Sequence, residues 1–352
     1  MDNLARKDTL DSEVGPFLDM FSKIGDAVDV RLKGHEFLSR FPPQRRLEVA
    51  SALAWANPFF IPDMPAATAQ QLALNLNQFA EFVMRAKLTA KRAGQFNILL
   101  ACAPKSASTF IETALRKALD LPTVSLFTTT MSGFAGSMLG ANLREQEVDE
   151  LALIRNGLNG AGYVAQHHTR CTPYLAQMLS TYNVTPIVTH RNLFDTIVSL
   201  DDMVMAYRTG GARDGELYFS DGLPANYGGL DREDRLTILA QRNTAWFIQF
   251  FVSWKKCERA GLTKPLWISY EKDFLGDKAL LAARVSRHLG PEFADPAKLA
   301  EAFEDKRDAD ARRFNKGVAG RGREMPESVR QIILKTASYY RDEEDISPLI
   351  GD

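Results

Sequence analysis

The first part of the chain carries apolar residues at the spacing of amphipathic helices. Between residues 72 and 86 they form one broad stripe, which is followed by basic residues and by Gly94. The residues of this stripe are Leu72, Leu74, Leu76, Phe79, Phe82, Val83 and Ala86. Prolines at positions 42, 43, 58, 62 and 65 divide the region into short helices. Residues 1–94 are therefore predicted to be a helical N-terminal region, interpreted as a cap or a dimerisation element because it holds no chemical motif.

From residue 95 the pattern changes to short apolar runs that do not alternate with polar residues. The runs are FNILLACA (96–103), GYVAQH (162–167), TPIVTH (185–190) and PLWISY (265–270), and helical patterns lie between them. Continuous apolar runs of strand length between helices are typical of a buried parallel sheet. Residues 95–352 are therefore predicted to form an α/β domain with three layers, in which helices cover both faces of the sheet.

Ligands of such sheets sit outside the carboxyl ends of the strands, so the residues after each run are the candidates for chemistry. These residues are Pro104, Lys105 and Ser106, then His167 and His168, then His190 and Arg191, and finally Glu271 and Lys272. A separate segment, 201–235, is glycine-rich, polar and aromatic without clear periodicity. We predict that it is a long loop, either a binding loop or a surface excursion.

Composition and charge exclude several classes of function. Of the 352 residues, 45% are hydrophobic and 25% are charged, as in ordinary globular proteins. The formal net charge of −1 argues against nucleic acid as a partner, so any anion recognition must be local. The three cysteines are far apart without metal-ligand spacing, which predicts reduced thiols and no metal site. Early charges and the lack of a long apolar run predict a cytoplasmic protein without a secretory signal or membrane span.

The sequence PKSAST (104–109) lies between the first strand run and a helical pattern, FIETALRKAL (110–119). The amide groups and the dipole at a helix start bind anions, small side chains let the backbone approach, and a lysine adds full charge. The full P-loop pattern G-x-x-x-x-G-K-S/T is absent, because a proline stands where its second glycine would be. We therefore predict a phosphate-binding loop, with an ordinary strand-to-helix turn as the alternative.

Two further segments carry cations that would suit a phosphate. Arg191 follows the third run, and Ser199 lies eight residues later, about two helical turns on, so both could face one phosphate. The segment RRFNKGVAGRGREM (312–325) combines five basic residues with three glycines, which suits a loop that folds over an anion. Taken alone, Arg191 would ordinarily be explained by an ion pair with a surface carboxylate. Taken alone, residues 312–325 would ordinarily be a solvated basic loop.

Together, these segments resemble the sulfotransferase family that uses 3′-phosphoadenosine 5′-phosphosulfate (PAPS), over about residues 95–325. The family binds the 5′-phosphosulfate with a loop similar to P-K-S-G-T-T-W. The matching residues here are Pro104, Lys105, Ser106, Ala107, Ser108, Thr109 and Phe110. The resemblance implies that these residues bind the nucleotide at its 5′ end.

Three more segments of the family have counterparts in this chain. The family binds the 3′-phosphate with an arginine and a serine eight residues apart, which are similar to Arg191 and Ser199. A late R-K-G loop closes over the nucleotide, and here it reads NKG, which implies roles for Lys316 and Gly317. The segment WISYEKDF resembles the family's R-Y-E-D segment, which implies that Tyr270 lies near the adenine.

The chain departs from the family's pattern at three positions. Ala107 replaces the loop glycine, so a positive φ at this position would be strained. Phe110 replaces the tryptophan that stacks on adenine, an exchange of one flat ring for another. Asn315 replaces the arginine of the late loop and removes one charge from the 3′-phosphate site. Four nearby arginines could compensate: Arg312, Arg313, Arg321 and Arg323.

Sulfuryl transfer to a hydroxyl or an amine needs a base for the acceptor's proton and a cation for the leaving phosphate. Lys105 suits the second role, and a histidine suits the first. The family's base follows a short strand and precedes the 3′-phosphate arginine, which implies His168 or His167, 23 and 24 residues before Arg191. Strand neighbours point to opposite faces, so only one can face the acceptor. We favour His168, and His167 and Glu112 remain open.

The remaining histidines, His35, His190 and His288, are predicted to be structural. The resemblance implies an enzyme that transfers a sulfuryl group from PAPS to a small-molecule or glycan acceptor and releases adenosine 3′,5′-bisphosphate (PAP). One alternative is a kinase-like, nucleotide-dependent phosphotransferase, which the lack of a clear second-strand aspartate for magnesium disfavours. Another is a non-catalytic binding protein on the same fold. The acceptor stays open, and so does the oligomeric state, for which a homodimer is one option.

Overall fold

The computed structural model describes residues 2–57, 59–60, 76–126, 146–158, 160–209, 223–305 and 318–351.

The N-terminal helices have an apolar core of their own. Helices α1 (Asp2–Ser22), α2 (Ala27–Ser39) and α3 (Pro43–Ala56) pack around one cluster of buried side chains. Its largest members are Leu18, Phe21, Phe37, Phe41, Leu53 and Phe60. Within the described ranges, this cluster contains no residue beyond Phe60.

Helix α4 (Leu76–Arg92) packs with the α/β domain. Its Ala90 lies in the same apolar cluster as residues of the first strand. The side-chain amide of Asn183 donates to the carbonyls of Ala90 and Lys91, at 3.2 and 2.8 Å. The end of α4 is thus tied to the turn that precedes the third strand.

The apolar stripe predicted for this helix has a different environment from the one its pattern indicates. Ala86 is buried, as expected of a face that packs on the core. Phe79 and Phe82, however, are 48% and 59% exposed. Leu72 and Leu74 lie outside the described residues. An apolar periodicity therefore predicted the helix here but not which of its residues are buried.

A parallel sheet forms the centre of the α/β domain. Its strands are β1 (Asn97–Cys102), β2 (Tyr163–His167), β3 (Val184–His190) and β4 (Leu266–Ser269), in the order β2-β1-β3-β4. All four apolar runs therefore form strands, and the predicted α/β class with a parallel sheet is confirmed. The continuous runs arise because β1 is buried along its whole length.

Alternate residues of β1 enter two different apolar clusters, since successive side chains of a strand point to opposite faces. Leu99 and Ala101 pack in one cluster, and Ile98 and Leu100 pack in the other. Helices α5 (Ser108–Leu119), α10 (Lys278–Leu289) and α11 (Pro296–Glu304) contribute to the second cluster. The first cluster takes residues from α6 (Glu150–Gly157), α7 (Pro173–Thr181), α8 (Leu193–Thr209), α9 (Arg232–Arg259), α12 (Glu327–Ser338) and α13 (Ser347–Ile350).

The segment 201–235, predicted to be one long loop, is partly helical. Helix α8 continues through Thr209, and α9 begins at Arg232. Leu200 and Val204 are buried four residues apart on α8, and Asp231 caps α9 by accepting a hydrogen bond from the Asp234 amide. The prediction was therefore wrong at both ends, and residues 210–222 lie outside the described part.

The strand order places a topological switch point between β1 and β3. The chain leaves β1 for β2 on one side, and it leaves β3 for β4 on the other. Parallel α/β sheets bind ligands in the crevice outside the carboxyl ends of strands at such a point. The residues that follow β1 and β3 are the predicted phosphate loop and Arg191. No helix in the described ranges is long and apolar enough to cross a membrane.

Candidate functional site

The loop between β1 and α5 turns on two residues in the left-handed conformation. Lys105 has a φ of 68° and Ala107 a φ of 64°. The strain expected at Ala107 is thus present, because side chains other than glycine disfavour this region. Ala107 is also the cap residue of α5, and no side chain accepts a capping hydrogen bond there. The amide groups of the first helical turn are therefore not occupied by a capping side chain.

The serines of this loop brace it against the neighbouring strands. The Ser106 hydroxyl lies 2.6 Å from the Ala103 carbonyl, to which it donates, and 2.5 Å from the Thr189 hydroxyl of β3. The side-chain amide of Gln166, on β2, donates to the Ser108 hydroxyl at 3.0 Å. Ser106 and Ser108 thus fix the shape of the loop, while Thr109 is half-buried in the first turn of α5.

Arg191 joins three segments of the chain directly after β3. Its Nη1 donates to the Lys105 carbonyl at 3.1 Å, and its Nη2 donates to the Val318 carbonyl at 3.2 Å. Its guanidinium lies over the Tyr270 ring, 3.9 Å from the centroid. The side chain is only 5% exposed, and its Nε has no hydrogen-bond partner among the described residues.

Arg191 is buried beside one carboxylate at ion-pair distance. Burial lowers the pKa of its guanidinium, although Tyr270, Asp195 and Glu271 act in the opposite direction. The nearest carboxylate oxygen is Oδ2 of Asp195, 3.8 Å from Nη2. A buried guanidinium with an unused N–H attracts an anion, because an acceptor would satisfy that hydrogen-bond donor.

The two aromatic residues predicted to lie near an adenine are buried and linked through a third ring. Tyr270 follows β4, and its ring centroid is 5.2 Å from that of Phe274. Phe110, on α5, packs edge-on against the same ring at 5.2 Å. Phe110 and Tyr270 are 6% and 5% exposed, so each presents little open surface. Tyr270 lies against Arg191, and Phe110 is connected to it only through Phe274, so the stacking role of both rings stays a prediction.

One face of α8 runs along the predicted site. Asp195, Ser199 and Met203 are spaced four residues apart and therefore lie on one side of the helix. Asp195 lies beside Arg191, and the Met203 sulfur is 3.5 Å from Lys105 Nζ. Ser199 is buried between them on this face. The structure thus brings Arg191, Lys105 and the face that carries Ser199 together.

The late basic loop lies partly outside the described residues, and Lys316 and Gly317 are among those that are not described. The described chain resumes at Val318, whose carbonyl accepts the hydrogen bond from Arg191. We call residues 318–324 the late segment. Its Arg321 forms an ion pair with Asp202 on α8. The residues directly after the predicted nucleotide loop therefore lie at Arg191.

His167 has both ring nitrogens engaged inside the protein. Its Nε2 accepts a hydrogen bond from the Leu126 amide at 2.9 Å, and its Nδ1 lies 3.3 Å from Oε1 of Gln146. Because Nε2 accepts, the proton of the neutral ring resides on Nδ1. Burial, helped by the neighbouring His168, lowers the pKa of His167 to about 3. This arrangement does not suit a base for an external acceptor.

His168 carries its proton on the same ring nitrogen as His167 but differs in the contacts of the other nitrogen, to which no described residue hydrogen-bonds. Its Nδ1 lies 2.8 Å from the carbonyl of Cys102, the last residue of β1, and therefore carries the proton. The lone pair then resides on Nε2, the atom from which a general base acts. Burial lowers the pKa of His168, while the hydrogen bond to Cys102 opposes that shift. A neutral imidazole fixed in one tautomer beside the Lys105 loop suits proton abstraction.

The other candidate bases have different surroundings. Glu112 is buried, and burial raises its pKa, but its partners are Thr123, Thr113 and Arg116 rather than the Lys105 loop. His190 packs edge-on against Phe251 and Trp267, and burial lowers its pKa to about 4.

The two remaining histidines also make structural contacts. His35 packs against Phe60, and His288 contacts the Pro186 carbonyl. These contacts agree with the structural roles predicted for His35, His190 and His288.

Sequence reasoning missed Asp195, which is buried and contacts both Arg191 and the late segment. The available signal was its position four residues after Arg191, in the first turn of α8. In the described part of the chain, no group of three or more His, Cys, Asp or Glu side chains could hold a metal ion. No family model, no curated protein and no solved structure matches this chain.

Proposed function

We propose that this protein is a sulfotransferase, which moves a sulfuryl group from PAPS to a hydroxyl or an amine of a small-molecule or glycan acceptor. The proposal includes a three-layer α/β fold whose Lys105 loop acts as a P-loop-like phosphosulfate loop. It rests on the resemblance of separate sequence segments to one family and on how the described residues of those segments meet.

The observation that carries the proposal is a set of hydrogen bonds that joins these segments. His168 donates from Nδ1 to the carbonyl of Cys102, just before the Lys105 loop. Arg191 donates to the carbonyls of both Lys105 and Val318. Residues that are far apart in sequence thus meet at the carboxyl ends of β1, β2 and β3, which is where a parallel sheet binds its ligand.

The donor set fits a nucleotide with phosphates at two ends. Arg191 supplies a buried guanidinium with an unpartnered Nε for the 3′-phosphate. The Lys105 loop supplies a cation and the start of α5 for the 5′-phosphosulfate. A nucleotide without a 3′-phosphate, such as ATP, would leave the Arg191 subsite without its anion, so the chemistry favours PAP and PAPS over ATP.

The proposed reaction assigns one task to each of two side chains. His168 Nε2 takes the proton of the acceptor hydroxyl or amine as that atom forms its bond to sulfur. The bond between sulfur and the bridging oxygen of the donor breaks, and PAP leaves with that electron pair. Lys105 stabilises the negative charge that grows on this oxygen. The proton remains on His168 until solvent removes it.

A ligand-stabilisation experiment tests the proposal directly. PAP at a hundredfold excess over its Kd should add about 2.7 kcal/mol to the free energy of unfolding, whereas ATP and GTP should add much less. Stabilisation by ATP or GTP but not by PAP would favour the kinase-like alternative. The transfer of radiolabelled sulfate from PAPS to a panel of glycan and phenol acceptors then distinguishes an enzyme from a binding protein.

A further inference from the structure

The late segment is attached to α8 through the side chain of Asp195. Oδ2 of Asp195 accepts a hydrogen bond from the Gly320 amide, and Oδ1 accepts one from the Gly322 amide, both at 2.7 Å. Asp195 is 3% exposed, and these are charge-assisted bonds in a buried place. A single carboxylate thus uses one oxygen for each of two backbone donors.

The approach of the late segment to α8 is close enough to require glycine. A Cβ atom at Gly322 would lie 2.3 Å from the Phe194 Cβ and 3.0 Å from the Asp195 nitrogen. The Gly322 carbonyl accepts from Arg330 Nη1 at 3.2 Å, so the same residue is held from a second side. The position of the late segment is therefore determined by close packing as well as by the carboxylate.

Asp195 also faces the arginine of the candidate phosphate site. Its Oδ2 lies 3.8 Å from Arg191 Nη2, and the same Nη2 donates to the Val318 carbonyl at the start of the late segment. Asn192 begins α8 by accepting from the amides of Phe194 and Asp195, which fixes where the carboxylate leaves the helix. Arg191 and the late segment thus share one acidic partner.

We propose that Asp195 is a positioning residue that holds Arg191 and the late segment together as one wall of the nucleotide site. Its function is then to set the place of two groups that contact the ligand, without contacting the ligand itself. The inference takes the identity of the ligand, PAP, from the proposed function. The tether between Asp195 and the two glycine amides can be tested without any ligand.

The first test measures amide hydrogen exchange at Gly320 and Gly322 in the protein without nucleotide. In Asp195→Asn, the side-chain oxygen can accept from the amide of only one of the two glycines, and the side-chain NH₂ group lies against the amide of the other. Exchange at one or both amides should accelerate by about tenfold to a hundredfold, the factor expected from losing a charge-assisted hydrogen bond. Unchanged exchange at both positions would overturn the tether.

The matched control is Asp201→Asn, a buried aspartate on the same helix. Asp201 accepts from Tyr227 and Arg235 rather than from the late segment. This variant should lower the stability of the protein without selective loss of protection at Gly320 and Gly322. Equal acceleration in both variants would show that the effect is a general loosening of α8 and would overturn the assignment to Asp195.

The second test measures the affinity for PAP and separates positioning from charge. Asp195→Asn removes a negative charge from beside Arg191, which by charge alone would strengthen phosphate binding. Positioning predicts the opposite, a loss of PAP affinity by about tenfold. Gly322→Ala, which pushes the late segment from α8 and leaves the carboxylate in place, should also lower PAP affinity.

A gain of PAP affinity in Asp195→Asn, or no change in Gly322→Ala, would overturn the positioning role. If the unmodified chain binds no PAP, the proposed function fails and the nucleotide half of this inference fails with it. The exchange experiment still decides the tether in that case, so the two failures are distinguishable.

Discussion

His167 and His168 show how two adjacent residues of one type acquire different chemistry. His167 ends β2 with its ring inside the core, where the Leu126 amide occupies its accepting nitrogen. His168 lies just past the strand end, and its ring donates to the Cys102 carbonyl. The alternation of side chains along a strand predicts that only one of the two can face a substrate. The hydrogen bonds favour His168 for this role.

We expect His168→Ala to lower kcat by about 10²–10⁴ and to leave PAP affinity nearly unchanged, because a general base acts on the acceptor rather than on the nucleotide. The acid limb of the wild-type kcat/KM profile should lie below the ordinary pKa of 6.5, since burial lowers the pKa of His168. Near-normal turnover of His168→Ala in a sulfate-transfer assay would show that His168 is not the base, and Glu112 would be the next residue to test.

Two buried histidines make stability depend on pH. Burial lowers the pKa of His167 to about 3 and that of His190 to about 4, from an ordinary value of 6.5. Between its folded and its unfolded pKa, each histidine binds more protons in the unfolded chain than in the folded one. The contribution of the two histidines to the free energy of unfolding is therefore full above pH 6.5 and falls as the pH decreases. We expect a loss of about 1.4 kcal/mol per pH unit for each histidine between about pH 6 and the folded pKa of about 4 for His190, measured by urea unfolding. In His167→Gln the slope of the free energy of unfolding against pH should decrease by the share of one histidine. An unchanged slope would contradict the lowered pKa of His167.

Arg191 allows a test of which phosphate the site distinguishes. We expect Arg191→Ala to make the binding free energy of PAP less favourable by about 1.5–3 kcal/mol, the value of one charge-assisted contact. Adenosine 5′-phosphosulfate, which has no 3′-phosphate, should lose much less affinity in the same calorimetric titration. Arg191→Lys keeps the charge and should recover part of the PAP affinity but not the bidentate geometry. An equal loss of affinity for both nucleotides would mean that Arg191 binds the phosphate at the 5′ end instead.

At the scale of elements, the loop between β1 and α5 contains strain that a single substitution can measure. Ala107 has a φ of 64°, so glycine should relieve strain there, although glycine also raises the entropy of the unfolded chain. We expect Ala107→Gly to leave the free energy of unfolding unchanged or to raise it by up to about 1 kcal/mol. Ala114→Gly, in the buried middle of the same helix, should lower it by about 1 kcal/mol or more. A clear loss in Ala107→Gly, measured by chemical denaturation, would contradict this account.

The sequence allowed the strands to be predicted because burial on both faces removes the polar alternation from each run. The four runs contain β1 to β4 almost without offset. The strand order could not be predicted in this way, because runs of similar apolar residues carry no information on their neighbours. The same limit applies to Asp195, whose partners Gly320 and Gly322 lie more than a hundred residues away. Local patterns predict elements and loop chemistry, whereas contacts between distant segments depend on the assembled sheet.

At the scale of the whole molecule, the sheet accounts for the meeting of the candidate residues. Strands β1, β2 and β3 are adjacent and parallel, so the residues after them emerge at one edge. Lys105, His168 and Arg191 therefore converge although up to 86 residues separate them, as the hydrogen bond from Arg191 to the Lys105 carbonyl shows. Helix α8 completes the arrangement, because its carboxylates bind the late segment.

The separate core of α1–α3 leads to a prediction for unfolding. In the described ranges, the apolar cluster of these helices shares no residue with the clusters around the sheet. We therefore expect two thermal transitions in a calorimetric scan, one for the N-terminal helices and one for the α/β domain. PAP should raise the Tm of the second only, because a ligand stabilises the unit that binds it.

Fluorescence can assign the two transitions, since Trp55 is the one tryptophan of the first 60 residues, and the others are Trp246, Trp254 and Trp267. In Trp55→Phe the remaining signal should report only the transition that PAP shifts. A single transition that PAP moves as a whole would contradict independent cores. It would mean that the N-terminal helices unfold together with the proposed nucleotide site, and that they contribute to its stability.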